Sequence, residues 1–317
     1  MTVGIVLLVL GADRFVVGAG ATARNLGVTP IMIGLTVVAF STSAPEIFVS
    51  IVAASQGNTE LAIGNALGSN IANIGLVLGA TALVRPLVVR SDTVRREIPV
   101  LLAVTLFTLT LFHDQTLSRL DGVILMAGLV LVMSWIVGLG IRSPASDPIL
   151  QEFEAEIRSD LNMAQATTWL GVGLAIMLVG SIILVSGAHE VAVGLGVSDM
   201  IIGLTMVAIG TSLPELAVSI VSAIRGEYDL AIGNIIGSNI FNLLAVLGIA
   251  GIIHETSVIR EVLLLHFPVM IGFTLALFAM TYNFTGSERI NRLEGVALLT
   301  AFSGYHWFLY LQHQAGG

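Results

Sequence analysis

Residues 33–79 and 202–248 are one 47-residue sequence written twice. At a constant offset of 169, with no gaps, they agree at 29 of 47 positions. The differences are mostly exchanges of one apolar residue for another, together with a short polar turn in the middle. What is kept is Thr-Ser-x-Pro-Glu, then Gly-Asn-x-x-Gly-Ser-Asn, then an Asn three residues on. Polar groups and glycines duplicated inside two otherwise apolar segments imply a site built from two halves of one chain.

The surroundings of that site are lipid. The chain is 56% hydrophobic and 11% charged, with a mean hydropathy of +0.96. Soluble domains carry about 25% charged residues, so this is a membrane protein. There is no cysteine, which excludes disulfides and thiolate metal sites. The net charge of −8 is partly concentrated between Asp147 and Asp160, and no basic patch supports nucleic-acid binding. The first apolar segment has no small-residue cleavage site, so it is expected to be a membrane span and not a signal peptide.

A helical span needs about 20 mostly apolar residues. Ten segments qualify: 2–25, 31–55, 60–84, 97–114, 120–141, 167–193, 200–224, 229–253, 259–282 and 292–313. The expected fold is an all-α membrane protein with a first five-helix half at 1–141, a linker at 142–166 and a second five-helix half at 167–317. Basic residues then set the orientation. Alternate connections carry ten arginines (Arg24, Arg85, Arg90, Arg95, Arg96, Arg142, Arg158, Arg225, Arg289 and Arg292) against two, Arg119 and Arg260. The positive-inside bias places the linker in the cytoplasm and the N-terminus outside the cell (inner) membrane. Five spans per half make the second half enter from the opposite side, so the repeats are inverted, as in many transporters. Asp13-Arg14 falls inside a first span that has fewer residues before its Gly11-Ala12 pair than the sixth has before Gly187-Ala188. A short helix, an upstream start and an interfacial charged pair all fit that difference.

Glu46 and Glu215 lie near the middle of spans 2 and 7 at matching positions, with no Arg alongside. An ionised carboxylate at that depth costs several kcal/mol or more unless paired or hydrated. Each follows a proline, Pro45 or Pro214, which removes a backbone donor and disturbs the helix. Carbonyls around 40–42 and 209–211 are thereby released. Thr42 and Thr211 sit four residues before the glutamates, on the same helical face. In spans 3 and 8, Ser69 with Asn73 and Ser238 with Asn242 repeat that spacing. An oxygen-rich cage of this kind suits a hard cation such as Ca²⁺. Gly64 and Gly68, with Gly233 and Gly237, form small-xxx-small strips that allow spans 3 and 8 to pack tightly. Asn65, Asn70, Asn234 and Asn239 lie near the same faces and either join the cage or bridge helices. His189, Glu190, His254, Glu255 and His266 read as interfacial or structural, His266 having no evident counterpart in the other repeat.

The blocks Ala39-Phe-Ser-Thr-Ser-Ala-Pro-Glu46 with Gly64-Asn-Ala-Leu-Gly-Ser-Asn-Ile-Ala-Asn73, and Ala208-Ile-Gly-Thr-Ser-Leu-Pro-Glu215 with Gly233-Asn-Ile-Ile-Gly-Ser-Asn-Ile-Phe-Asn242, resemble the alpha repeats of the calcium/cation antiporter superfamily, and specifically of prokaryotic sodium/calcium exchangers. The resemblance implies ten helices in two inverted halves, four ion sites between helices 2, 3, 7 and 8, and long first and sixth helices that slide across a fixed core. It implies that Glu46 and Glu215 are ligands shared by Ca²⁺ and Na⁺. Thr42 and Thr211 would give backbone carbonyls to Ca²⁺. Ser43, Ser212, Ser69, Ser238 and the carbonyls of Ala39 and Ala208 would line outer Na⁺ sites, and Asn73 and Asn242 would complete the middle position. Two departures stand out. The first repeat has Ser41 where the family pattern favours Gly, and Asn occupies both 73 and 242 where such exchangers often carry one Asp.

The expected function is secondary antiport of Ca²⁺ against Na⁺, with H⁺ as the alternative counter-ion. No enzymatic cofactor is called for; the ions are cargo. An intramembrane hydrolase would want a set such as His-Glu-x-x-His, which the sequence lacks. A passive channel fits internal inversion less well than alternating access does. The linker is too short to fold into a regulatory calcium domain.

Overall fold

The computed structural model describes residues 2–28, 30–89, 92–142, 161–194, 208–282 and 289–316. Most of the linker and residues 202–207 of the second repeat lie outside them, as do the side chains of His189 and Glu190. The first half contains α1 (Thr2–Leu26), then α2 (Pro30–Ile33), a π-helical turn at Gly34–Val38, α3 (Ala39–Thr42) and α4 (Ala44–Ser55) in its second segment. The third segment is α5 (Thr59–Ala72), a π turn at Asn73–Leu78 and α6 (Gly79–Val84), followed by strand β1 (Leu87–Val88). Helix α7 (Asp92–Leu111), β2 (Thr116–Leu117) and α8 (Arg119–Arg142) close this half. The second half begins with α9 (Met163–Gly194), then α10 (Ala208–Thr211) and α11 (Leu213–Arg225). Next come α12 (Tyr228–Phe241), a π turn at Asn242–Val246, α13 (Leu247–Ile253) and β3 (Thr256–Ser257). A π turn at Val262–His266, α14 (Phe267–Tyr282), β4 (Arg289–Ile290) and α15 (Arg292–Gly316) end the chain.

Among the described residues seven helices are long and apolar enough to cross a membrane, and eight if the bent second segment counts as one span. The chain is thus a multi-pass, all-helical membrane protein. Of the ten segments expected, 200–224 begins in residues not described. Segment 292–313 lies in the 25-residue helix Arg292–Gly316, whose Gly, Ser, Tyr and His dilute the apolar run.

The third and eighth segments are the centre. Almost every residue of α12 is buried, and the main core joins Ile63, Ile71, Ile74, Ile235, Ile240 and Phe267. By contrast α8 exposes Leu120, Val123, Val130 and Leu131, the pattern of a peripheral helix whose outer surface faces acyl chains. Reciprocal Ser118–Asp121 and Asn291–Glu294 bonds cap α8 and α15, satisfying donors that a helix start leaves open.

Gly237 behaves differently from its sequence reading. A Cβ there would lie 2.6 Å from both the Ala39 Cβ and the Leu35 carbonyl, and one on Gly34 would lie 2.9 Å from the Leu230 carbonyl. The small strip of α12 therefore receives the irregular second segment, not the third. At Gly64 a Cβ meets nothing within 4 Å. The strip lets backbone approach, and the bent segment brings its backbone there.

Two short antiparallel ladders tie connections together. Leu87 pairs with Ile290 and Val88 with Arg289, while Thr116 pairs with Ser257 and Leu117 with Thr256. Each ladder joins one connection of the first half to one of the second.

Helices α1 and α9 pack antiparallel through glycines seven residues apart. Gly11 lies against Gly173 and Met177, Gly18 against Ala166 and Leu170, and Gly180 against Gly4 and Leu8. A Cβ on Gly173 would stand 2.5 Å from the Phe15 nitrogen, so the backbones are in direct contact and the pair forms one unit. Asp13 on α1 accepts from Arg225 of α11, with Nε at 3.1 Å, which gives the unusual charge in the first span a partner. Gly173→Leu should lower the melting temperature in detergent by on the order of 5 °C or more through backbone overpacking. Gly171→Leu, whose side chain would meet nothing within 4 Å, should leave it unchanged. Equal shifts for the two variants would contradict the glycine contact.

Candidate cation site

The site begins with two prolines. Pro45 and Pro214 each occupy the first turn of a helix, α4 and α11, where the missing N–H costs nothing within that helix. The preceding helices, α3 and α10, must stop. Ser43 (φ −80°, ψ 4°) and Ser212 (φ −83°, ψ 4°) adopt the same linking conformation. The axis of the second segment turns by 49° there. Glu46 and Glu215 consequently fall in the first turn of a new helix, where the macrodipole favours a negative charge.

Both glutamates are fully buried, and among the described residues neither forms an ion pair. Each is contacted across the repeat boundary. Ser43 Oγ donates to Glu215 Oε1 at 3.3 Å, and Ser212 Oγ donates to Glu46 Oε1 at 3.5 Å. Ser238 Oγ donates to Glu215 Oε1 at 3.4 Å. Thr211 and Ser69 flank the Glu46 carboxylate, which also lies within the electrostatic field of Glu215. The two halves thus meet at their acids.

The third and eighth segments supply the remaining polar groups. Asn73 and Asn242 are buried and each opens a π-helical turn. Such wide turns occur disproportionately at functional sites, and the residue counts that predict a regular helix give no warning of them. Glu46 Oε2, Glu215 Oε2, Asn73 Oδ1 and Asn242 Oδ1 are buried without a hydrogen-bond partner. Leaving such acceptors unsatisfied costs about 1–3 kcal/mol each, and more for charged groups. These are oxygens, and among the described residues no group of three His, Cys, Asp or Glu residues is placed to hold a metal. The donor set fits a hard cation and not a thiolate- or imidazole-seeking metal.

Of the residues expected at the site, Thr42, Ser43, Glu46, Ser69, Asn73, Ser212, Glu215, Ser238 and Asn242 are all at most 1% exposed, and Thr211 is 8% exposed. Ala39 opens α3 and is buried, and Ala208 opens α10 at the matching position. The four other asparagines bridge helices. Asn70 Nδ2 donates to the Asn239 carbonyl at 3.3 Å, and Asn73 Nδ2 to Asn239 Oδ1 at 3.2 Å. Asn65 and Asn234 link each glutamate's backbone to the opposite repeat. His254 caps α13 and lies 3.3 Å from Thr59 Oγ1, a structural contact. His266 requires a correction. The offset of 169 that matches Pro99 with Pro268 matches it with Glu97, which is 1% exposed. The change from acid to imidazole hides the correspondence. His266 itself lies 2.6 Å from Tyr305 Oη.

Comparison with known proteins gives a consistent picture. The family described as sodium/calcium exchanger protein matches residues 1–138 and 165–311. The CaxA protein of Alkalimonas amylolytica is 50% identical over 308 residues, 97% of each chain. The sodium/calcium exchanger MaX1 of Methanosarcina acetivorans is 32% identical over 96% of each. A solved structure of the sodium-calcium exchanger NCX_Mj, soaked with 10 mM Na⁺ and no Ca²⁺, superposes with a TM-score of 0.80 at 32% identity, covering 95% of this chain and 94% of that one.

The geometry makes a prediction about stability. Gln at 215 keeps an acceptor for Ser43 and Ser238 but removes one of two buried acids whose charged forms repel each other. In chelator, Glu215→Gln should therefore raise the melting temperature by about 3 °C. A lower melting temperature would mean that the carboxylate is held by an unidentified cationic group.

Proposed function

The chain belongs to the sodium/calcium exchanger family, and from that premise we propose that it exchanges Ca²⁺ for Na⁺ across the membrane by alternating access. The observation that carries the reading is the meeting of Glu46 and Glu215, fully buried, each bonded to a serine of the other repeat, and each with one carboxylate oxygen unpartnered. Two carboxylates balance one Ca²⁺ or take up counter-ions, so both cargoes compete for the same oxygens. Around them Thr42 and Thr211 contribute backbone carbonyls. Ser43, Ser69, Ser212 and Ser238 and the carbonyls of Ala39 and Ala208 line flanking Na⁺ positions, and Asn73 and Asn242 complete the centre. Moving bare carboxylates past apolar surfaces is costly. The protein therefore changes access only when they are neutralised, and that requirement couples the two fluxes.

The proposed architecture has ten spans in two inverted halves, 1–141 and 167–317, joined by a cytoplasmic linker at 142–166, with the N-terminus outside. The ladders support it. Strand β1 lies between the third and fourth segments and pairs with β4, between the ninth and tenth. Strand β2 lies between the fourth and fifth and pairs with β3, between the eighth and ninth. Two halves of equal orientation would place the third–fourth and eighth–ninth connections on one face. Inverted halves place them on opposite faces, which agrees with this crossed pairing. The direct backbone contact of α1 and α9 suits two helices that move as one body against the fixed core.

Asn at both 73 and 242 favours one second reading, exchange of Ca²⁺ for H⁺. A third carboxylate would help compensate several Na⁺ ions, and both positions, 73 and 242, hold Asn. In proteoliposomes, Ca²⁺ efflux should follow an imposed Na⁺ gradient. Efflux that follows only a pH gradient would select the second reading. Glu46→Gln and Glu215→Gln, tested separately, should each reduce exchange at least a hundredfold, and normal exchange by either would refute the assigned roles. The natural absence of cysteine also makes orientation measurable. Ser146→Cys should react with an impermeant maleimide from the cytoplasmic side, and His113→Cys from outside. The reverse pattern would invert the topology.

A further inference from the structure

Asn65 and Asn234 are buried, at 3% and 0% exposure, in the middle of α5 and α12. Asn65 Nδ2 donates to the Glu46 backbone carbonyl at 3.2 Å and to Ser50 Oγ at 3.3 Å. A carbonyl only accepts, so the amide orientation is fixed and Oδ1 must face the other way. There it accepts from Thr211 Oγ1, in the opposite repeat, at 3.4 Å. Asn234 repeats the arrangement. Its Nδ2 donates to the Glu215 carbonyl at 3.4 Å and to Ser219 Oγ at 3.1 Å, and its Oδ1 accepts from Thr42 Oγ1 at 3.1 Å.

These links close on themselves. Asn65 ties Glu46 to Thr211. The bend at Ser212 connects Thr211 to Glu215. Asn234 ties Glu215 to Thr42, and the bend at Ser43 returns to Glu46. We propose that Asn65 and Asn234 are positioning residues that clasp the two helix bends into one closed ring, so that neither bend moves without the other. The two amides touch no carboxylate oxygen, while the Thr211 and Thr42 hydroxyls they accept from also border the acids. Bonds such as Ser43 to Glu215 occupy the acid itself and give way when a cation takes it, whereas the amide links survive loading. They therefore hold the two half-sites in register through binding and release. A full-length amide is needed, because it must donate to one repeat while accepting from the other. An aspartate at either position keeps the shape but loses the donor.

The functional consequence rests on the proposed Ca²⁺ site, but the ring itself is testable without it. Hydrogen–deuterium exchange of the full chain in detergent and chelator tracks peptides covering 39–46 and 208–215. In Asn65→Ala, uptake should rise in 208–215 of the other repeat as well as in 39–46, and Asn234→Ala should give the mirror result. Because either amide alone still joins the two repeats, the double variant should exchange faster than the sum of the two single effects. Thr211→Val cuts the same link while keeping the β-branched shape and the backbone carbonyl, and should reproduce the effect if Asn65→Ala does not fold. In Ca²⁺ uptake, each single variant should raise half-saturating Ca²⁺ about tenfold, equivalent to about 1.4 kcal/mol, with the maximal rate within about twofold. Effects confined to the mutated repeat, additive effects in the double variant, or a fall in rate without a change in half-saturation would overturn the proposal. If no variant or parent transports Ca²⁺ while cross-repeat exchange still rises, the antiport reading fails and the ring stands.

Discussion

Two carboxylates held in the interior of a membrane protein, with no ion-pair partner among the described residues, set the terms for everything around Glu46 and Glu215. An acid in that position needs favourable dipoles and hydroxyl donors, or a cation from outside. The chain provides the first two locally. Each proline restarts a helix one residue before the acid, so the carboxylate sits at the positive end of a new macrodipole. Each serine at the bend then donates to the acid of the other repeat. These contacts leave one oxygen open on each acid, the acceptors that the proposed cation would satisfy. A fully satisfied pair would be more stable and would bind nothing.

The scaffold answers that need. A bent segment carries irregular backbone into the membrane interior, which is tolerated only where protein surrounds it. The third and eighth segments provide the surround. Gly237 admits the bent second segment at a separation that no side chain would permit, and Asn65 and Asn234 tie the helices that follow the bends to the opposite repeat. The outermost helices, α8 above all, pack with little polar content because their task is to face acyl chains. Helices α1 and α9 are set apart from this core. Their glycine contacts bind them to each other, and they touch the site's second and seventh segments through a smaller apolar cluster that includes Leu8, Phe15, Val38 and Val218.

Much of this is legible in the sequence because repetition filters chemistry from lipid-facing variation. Pro45, Glu46 and their repeats at 214 and 215 announce a bend and a buried acid on each side. The spacing Ser69–Asn73 follows one helix face, whereas Thr42, expected on the face of Glu46, is separated from it by the bend at Ser43 and bonds Asn234 of the other repeat. Other features arise from packing and leave no residue-level signal. The π turns at Asn73 and Asn242 add a residue per turn and rotate the helix beyond them, yet their sequences, NIGLVL and NLLAV, read as ordinary apolar helix. The strip at Gly233–Gly237 announces close approach but not the partner, because smallness is not directional. Asn65 and Asn234 allow two readings, and only the positions of Thr211 and Thr42 in the opposite repeat show that both faces of each amide are used. The pairing of Glu97 with His266 is hidden for the opposite reason, since the register survives while the chemistry diverges.

Asn73 and Asn242 complete the electrostatic argument. Each lies where a carboxylate would add a third buried charge. With amides there, the site carries at most two negative charges, which one Ca²⁺ cancels. Monovalent ions face a different balance. Two Na⁺, or two protons on the acids, restore neutrality, whereas a third monovalent ion leaves a net positive charge in a low-dielectric setting and is correspondingly disfavoured. For the exchange proposed above, one Ca²⁺ against two monovalent ions is the stoichiometry such a donor set would favour. Such a cycle moves no net charge across the membrane, and its rate should be insensitive to membrane potential. Under that proposal the amides at 73 and 242 would limit how many counter-ions the same two glutamates could hold.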